Sequence, residues 1–585
     1  MGVFKKLSWY FQEEKKRYGL GILFLLLVAI VNLIPPKVIG TLVDSMNQKG
    51  GIQTGQLMSL LGLLVFAGVG QYVFRFGWRN AIWGGAAKLE KTLRTRLFNH
   101  FMKMDATFYQ RHRTGDLMAH ATNDLNAIQN VAGAGILTLF DSLITGTTTI
   151  IAMIFFVDWR LTLFAILPMP LLAVMARRLG MRLHAAFARS QAAFSRLNDK
   201  TQESVSGIKV IKTFGQEKED TADFDQIVDH TIEINKKVNF LDALFDPTTS
   251  LIMGITYVIT IAYGGYLVTS NAITIGQLVS FVSYVSSLVW PMFAIGRLFN
   301  ILERGNASYD RVAELLNEHS AIIEQPDAIA APAHGDIRFK INKFAYPDDD
   351  HATLTHVHFT LPEGHTLGIV GRVGAGKSTI FKLLLREFDD YDGVIEFGGQ
   401  NIKAYTLEAL LDAIGYVPQD NFLFSTTVAD NIRFSSFEKT QPQVEDAARE
   451  SAVHNDILDF AEGYGTLVGE RGVSLSGGQK QRLAIARAVI TTPELLIMDD
   501  ALSAVDSKTE AEILDNLRQE RANKTTIIAA QRLSSVMHAD EILVLKDGSV
   551  IERGSHDELL ANNGWYAEMW AKQELEQKIG GETVG

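Results

Sequence analysis

The stretch GRVGAGKST (371–379) sets glycines, a lysine and two hydroxyls at the spacing of a phosphate-binding loop. Gly371, Arg372, Val373, Gly374, Ala375 and Gly376 form a loop whose backbone N–H groups face phosphate oxygens. Lys377 reaches the β- and γ-phosphates, the Ser378 hydroxyl ligates Mg²⁺, and Thr379 continues into a helix. The context fits, because LGIV (367–370) reads as a buried strand and TIFKLLLREF (379–388) as an amphipathic helix. LLIMD (495–499) supplies a second strand, whose terminal Asp499 holds Mg²⁺ directly or through water. LSGGQ (475–479) opens another helix, where Ser476, Gly477, Gly478 and Gln479 offer N–H donors and a positive dipole end to an anion. IMDDALSAVD (497–506) then raises a question, since Asp500 stands where the base that handles an attacking water is expected.

These elements need a scaffold. A chain of 585 residues holds two to four domains, and its net charge of −11 argues against a nucleic-acid partner. No cysteine occurs, which excludes disulfides and cysteine-ligated metals and fits a reducing cytosol. With 47% hydrophobic and 21% charged residues, the composition blends apolar and soluble segments. No cleavable signal peptide is expected. The start, MGVFKKLSWYFQEEKKRYG, reads as an amphipathic, lysine-rich helix running into an apolar segment.

Apolar stretches recur at 19–40, 57–74, 131–157, 161–176, 248–269 and 273–298, each close to the length of a membrane span. The long connectors 85–130 and 177–247 are polar, and the first carries Lys88, Lys91, Arg94, Arg96, Lys103, Arg111 and Arg113. Their Lys/Arg bias puts them, with both termini, in the cytoplasm. Six spans are predicted, with helices that continue into the cytosol and place Leu89, Leu93, Leu97, Phe98 and Phe101 on one side. The connectors turn back at RHRTGDLM (111–118) and SGIKVIKTFGQE (206–217), where a short helix is predicted against a cytosolic domain.

Taken together, the motifs resemble the ABC transporter family, in the exporter form with a membrane domain fused ahead of its ATPase. The resemblance covers nearly the whole chain. It implies an α-helical six-span membrane domain followed by an α/β P-loop ATPase domain, using ATP and Mg²⁺. It also implies roles: Tyr346 stacks on adenine, Gln419 senses Mg²⁺ and the interface, LVGERG (467–472) touches the coupling helices, and Asp506 faces the other nucleotide site. Each ATP then lies between one chain's phosphate loop and the other chain's LSGGQ.

Against that pattern two positions depart: Asp500 replaces Glu, and Gln531 in IIAAQRLSS (527–535) replaces the switch His. Aspartate sets its carboxylate back by about 1.5 Å, and glutamine cannot carry the positive charge of His. With Lys377, Ser378, Asp499 and LSGGQ intact, the chain resembles the degenerate-site subunit of bacterial heterodimeric exporters, often multidrug exporters. A second half-transporter is the expected partner, in the plasma membrane.

The expected domains are an elbow helix (1–18), a transmembrane domain (19–310), a linker (311–335) and the ATPase domain (336–585). The expected partners are membrane lipid and, as cargo, a small hydrophobic or amphipathic compound, with Asp141, Phe281, Tyr284, Trp290 and Phe293 as candidate contacts. Asp141 reads equally as an interhelical hydrogen-bonding group, and the aromatic residues read first as packing or lipid-contact residues. A lipid or peptide exporter and a nucleotide-gated regulatory or channel subunit remain alternatives.

Overall fold

The computed structural model describes residues 2–47, 52–347, 349, 351–469 and 475–582. The chain forms two compact units: Met1–Met102 with Thr114–Glu318, and Lys103–Arg113 with His319–Gly585.

Helices make up the first unit. Two short ones, Gly2–Lys6 and Ser8–Glu13, bury Val3, Leu7 and Tyr10 and leave Lys5 outside, as an amphipathic start requires. The Tyr10 hydroxyl donates to Gly85 O at 2.6 Å, and Lys6 pairs with Asp310 at 2.5 Å. Among the described residues, five helical segments are long and apolar enough to cross a membrane: Lys15–Met46, Thr54–Phe101, Thr114–Phe156, Glu217–Thr269 and Ile275–Asn317. They contain five of the six apolar stretches expected from the sequence. The other, 161–176, covers most of a helix Trp159–Ile166 and the start of a long helix, Met169–Ser206, with the apolar part Trp159–Leu172 shorter among the described residues. The break between the two helices falls at Leu167–Pro168, because proline lacks the N–H that continues a helix, and Pro170 sits in the first turn of the second, where that N–H is not needed.

The helix Thr54–Phe101 runs 48 residues without a break. Leu89, Leu93 and Leu97 are buried along it, but Phe98 is 59% exposed. Nine residues turn an α-helix through about 180° relative to its start, so Phe98 cannot share a face with Leu89. That expectation is corrected. The turn after this helix also starts earlier than 111–118: a helix Ala106–Arg111 is capped by Asp105, which accepts from Phe108 N at 3.0 Å. Such a cap is worth about 1 kcal/mol. Asp105 also accepts from Ser320 Oγ at 3.1 Å and from Ala321 N, which ties this short helix into the second unit. The other turn matches 206–217: a helix Ile208–Phe214 ends at Gly215 with φ +65°, and Ile208, Val210 and Phe214 are exposed.

Among the described residues, ten strands build the second unit: β1 (Ile337–Phe344), β2 (Leu354–Leu361), β3 (Thr366–Gly371), β4 (Asp392–Phe397), β5 (Gln400–Asn401), β6 (Ile414–Val417), β7 (Leu495–Asp499), β8 (Thr525–Ala530), β9 (Glu541–Lys546) and β10 (Ser549–Gly554). One sheet is antiparallel in the order β2-β1-β4-β5, and alternate residues of β1 and β2 are buried. Its Phe339 and Phe359 face each other across the pair, with stacked rings 5.0 Å apart. The other sheet runs β10-β9-β3-β8-β7-β6, parallel except at β10. Every residue of β7 and β8 is buried, which explains why Leu495–Met498 and Ile527–Ala530 are apolar without alternation. One core, with Phe339, Phe359, Ile369 and Phe381, joins the two sheets; another, with Leu483, Ile485, Met498 and Ile528, lies under the helices.

Candidate nucleotide site

β3 ends at Gly371 and the helix Lys377–Leu384 begins after Gly376, so residues 371–376 make a tight loop between strand and helix. Gly376 sits at φ +99°, a left-handed conformation, and a Cβ there would come within 2.7 Å of Leu354 Cδ2. At Gly371 a Cβ would meet Leu545 O at 2.3 Å. Arg372, Val373 and Gly374 are exposed, Ala375 is buried, and Thr379 is buried on the helix.

Lys377 is folded inward. Its Nζ donates to Gly371 O at 2.8 Å and Arg372 O at 3.2 Å, and the residue is only 9% exposed. Burial pulls its ammonium below the ordinary lysine range, and the carboxylates of Asp500 and Asp499 oppose that shift. The Ser378 hydroxyl donates to Asp499, the last residue of β7. Burial raises the Asp499 carboxyl, and the neighbouring Asp500 adds to that; Ser378, Lys377 and Lys382 pull the other way. The set fits Mg-ATP: a buried cation and a helix end for phosphate oxygens, and hard oxygen ligands for Mg²⁺. Among the described residues no cluster of three or more His, Cys, Asp or Glu suits a metal ion. A magnesium shared with phosphates and water needs only one or two protein ligands.

Asp500 follows Asp499 with φ +50°, a backbone region that Asp tolerates better than most residues. It is buried, its N–H donates to Ala529 O at 2.9 Å, and its Oδ2 accepts from Gln531 Nε2 at 3.0 Å. The two departures noted in the sequence are thus hydrogen-bonded to each other. Their meeting follows from topology: β7 and β8 are parallel neighbours with Asp499 opposite Ala529, so the residues that follow each strand lie side by side.

Tyr346 packs edge-on against Phe344 and Phe388, and its hydroxyl lies 2.9 Å from Thr379 Oγ1 on the phosphate-loop helix. Lys382 sits 5.3 Å from its ring centroid. Gln419 is exposed two residues beyond β6, the strand beside β7. Of LVGERG, residues 470–472 lie outside the described residues.

LSGGQ opens the helix Gly477–Val489. Ser476 Oγ accepts from Gln479 N at 3.2 Å, and Gln479 Oε1 accepts from Ser476 N at 3.1 Å, a reciprocal cap. Gln479 Nε2 donates to Asp456 at 3.0 Å, so this side chain is held within its own chain. Asp506 likewise caps a helix, Ser507–Glu520, and accepting from Thr509 N holds its carboxyl below the usual range. Among the described residues no hydrogen bond or ion pair joins 475–479 to the phosphate loop.

A family model for the ABC transporter transmembrane region matches residues 18–292, and one for the ABC transporter ATPase matches 354–503. The chain is 44% identical over 576 residues to "Probable multidrug resistance ABC transporter ATP-binding/permease protein YheI" of Bacillus subtilis (strain 168), covering 98% of each chain. It is 42% identical to "Multidrug resistance-like ATP-binding protein MdlA" of Escherichia coli (strain K12), covering 99% of this chain and 98% of the relative. Among solved structures, a bacterial Atm1-family ABC exporter with ATP bound matches with a TM-score of 0.77 and 28% identity, over 96% of this chain and 99% of that one.

The chain is an ABC transporter.

This transporter is a multi-pass membrane protein whose ATPase half uses ATP with Mg²⁺ and couples hydrolysis to transport. Its membrane-side candidates separate. Phe281 and Tyr284 are 0% and 1% exposed, within a core shared with Met153, Leu161 and Ile252. Tyr284 Oη donates to Leu33 O at 3.0 Å. Both pack in that core. Asp141 accepts from Trp290 Nε1 at 3.1 Å, a bond between the helices Ile136–Phe156 and Val289–Asn317. Trp290 remains half exposed. Phe293 borders a small pocket of about 10 Å³ with Leu172, Phe245 and Ile252.

Three residues of the site escaped the sequence. Gln481 is buried, donates to Ser503 Oγ at 3.0 Å and accepts from Ala504 N at 2.8 Å, which fixes LSGGQ to the segment after Asp500. Arg532 donates to Val505 O at 3.1 Å and Glu510 at 2.9 Å. Gln573 bonds the backbone of Gln531 and Leu533. Gln481 lies in the QKQR run behind LSGGQ, a visible signal; no local pattern announces Arg532 or Gln573.

Proposed function

We propose that this chain is one of two unlike half-transporters of an ATP-driven exporter in the plasma membrane, and that its cargo is a hydrophobic or amphipathic compound. The names of its curated relatives, YheI and MdlA, support a multidrug cargo. In this reading, residues 1–18 form an elbow, 19–310 a six-span domain, 311–335 a linker and 336–585 the ATPase. The span count includes Trp159–Leu172 as the fourth, and both termini lie in the cytoplasm.

The chain binds Mg-ATP at its own site and hydrolyses it poorly there. Lys377 and the loop N–H groups hold the β- and γ-phosphates, Tyr346 takes the adenine, and Ser378, Asp499 and Gln419 provide oxygens to Mg²⁺. That ion neutralises charge on the transferring phosphoryl group. The hydrogen bond from Gln531 to Asp500 carries the proposal of a weakened site. It occupies one oxygen of an already short carboxylate with a neutral amide, and a misplaced base forfeits much of a roughly 10²–10⁴-fold contribution. Ser476, Gly477, Gly478 and Gln479, with Asp506, serve the ATP held by the partner, whose Glu and His do the hydrolysis.

Steady-state ATPase of the purified chain, alone and with its partner half-transporter, tests this. Slow turnover alone and fast turnover together are expected. Fast turnover by the chain alone overturns the weakened-site reading.

A further inference from the structure

We propose that Gln573 is a positioning residue for the switch segment 531–533, so that the C-terminal helix sets how the nucleotide site distinguishes a triphosphate from a diphosphate. This rests on the reading of Gln531 as the switch residue given above.

β8 ends at Ala530, and from there the chain leaves the sheet. The Gln531 carbonyl and the Leu533 N–H therefore have no strand neighbour. One side chain serves both: Gln573 Nε2 donates to Gln531 O at 2.9 Å, and Leu533 N donates to Gln573 Oε1 at 2.9 Å. A primary amide that presents its donor and acceptor together mimics a peptide group, and it fixes the backbone on either side of Arg532. The side chains of the segment then diverge. Gln531 reaches Asp500, and Arg532 turns to Val505 O and the Glu510 carboxylate.

Gln573 itself is held firmly. Its helix, Trp565–Glu582, starts on the Glu552 carboxylate, which accepts from Trp565 N at 2.6 Å and Tyr566 N at 3.2 Å. Tyr566 is fully buried, its hydroxyl lies 2.8 Å from His556 Nδ1, and Trp565, Met569 and Trp570 pack on the core. The amide is thus a fixed post, and the switch segment hangs on it.

Without the amide the segment samples other conformations, and the nucleotide must order it on binding. In the switch reading the Gln531 amide donates to the γ-phosphate, which ADP lacks, so the cost falls on ATP and spares ADP. The test uses the full-length chain in nanodiscs, titrated with fluorescent ATP and ADP analogues. Gln573→Met, which keeps length without polar atoms, is expected to weaken ATP by about two- to tenfold, the worth of one or two neutral hydrogen bonds, with ADP unchanged. Hydrogen exchange at 531–533 accelerates in the same variant. Gln573→Glu keeps the acceptor for Leu533 but sets a carboxylate against the Gln531 carbonyl, and loses ATP selectivity as well. Equal weakening of both nucleotides, or an unchanged ATP-to-ADP ratio while Gln531→Ala alters it, overturns the proposal. If Gln531→Ala leaves the ratio unchanged, the switch reading itself fails and takes this inference with it.

Discussion

Two helices of the ATPase unit start on glycine-rich turns, and they are finished in opposite ways. At Lys377–Leu384 the first residue is a buried lysine whose ammonium points back under the loop. At Gly477–Val489 the first three residues carry no charge, the cap is an exposed serine, and Gln479 closes the turn on itself. Both ends present N–H donors and a positive dipole end. The first adds a cation, a hydroxyl and a carboxylate within its own unit. The second is braced from behind, by Gln481 on Ser503 and Ala504 and by Arg482 on Asp456, and its front stays open. The same local physics can therefore build a complete site or half of one, and the supporting residues decide which.

That contrast is open to attack. Gly477→Asp places a negative charge at the open end, where a Cβ meets only Ala504 Cβ at 3.4 Å, an ordinary contact, so the fold tolerates it. Turnover of the complex should fall on the order of 10²-fold, the loss typical of removing donors at developing charge. ATP bound at this chain's own phosphate loop should be unaffected. If own-site binding falls instead, the two helix ends are not independent.

Lys377→Ala removes the cation from the first end. Labelled-ATP binding to the chain's own site should weaken roughly 10- to 100-fold, in line with a charge-assisted hydrogen bond. Undiminished affinity would mean that the N–H groups alone hold the phosphates, as at the second end.

Asp500→Asn preserves shape and suits the left-handed backbone at that position. Steady-state ATPase of the complex should drop by less than about threefold, since a general base worth 10²–10⁴-fold is not working there. A loss as large as that from Gly477→Asp would make Asp500 a working base.

A smaller effect concerns the bracing behind the open end. Glu450 closes the helix Gln441–Glu450, which packs in the same core as Leu483 and Ile485. Burial, with help from Glu520 and Asp446, pushes its carboxyl up to about 7, against the pull of Arg521. An acid raised in the folded state binds more protons there than when unfolded. Stability therefore falls as pH rises from its ordinary value of 4.5 towards 7. Glu450→Gln should raise the melting temperature by about 1–3 °C at pH 8 and leave it unchanged near pH 4. A shift of equal size at both pH values would trace the effect to packing rather than charge.

The strand–loop–helix around Lys377 was legible because its signals are local: an apolar run, glycines where the backbone must turn, and a lysine at fixed spacing. The change at Asp500 was legible for the same reason, as was the one at Gln531. Their hydrogen bond was not, since 31 residues separate them and only the order of β7 and β8 brings them together. Gln573 was hidden more deeply, because a glutamine on a polar helix face carries no mark of the backbone it will meet. In the membrane half, apolar length pointed to the helices, but hydropathy cannot tell packing from cavity. Phe281 and Tyr284 read from sequence as packing or lipid-contact residues that could also line a cavity, and in the structure they sit in a buried core. The first turn was expected at the irregular piece 111–118, and Asp105 begins it earlier by capping a helix Ala106–Arg111.

The unbroken helix Thr54–Phe101 has a mechanical consequence. At 1.5 Å per residue, 48 residues make a rod of roughly 70 Å. A tilt of about 10° around one end of such a rod sweeps the other through roughly 12 Å. A small rearrangement at either end is geometrically amplified at the other, and no hydrogen bond along the shaft has to open.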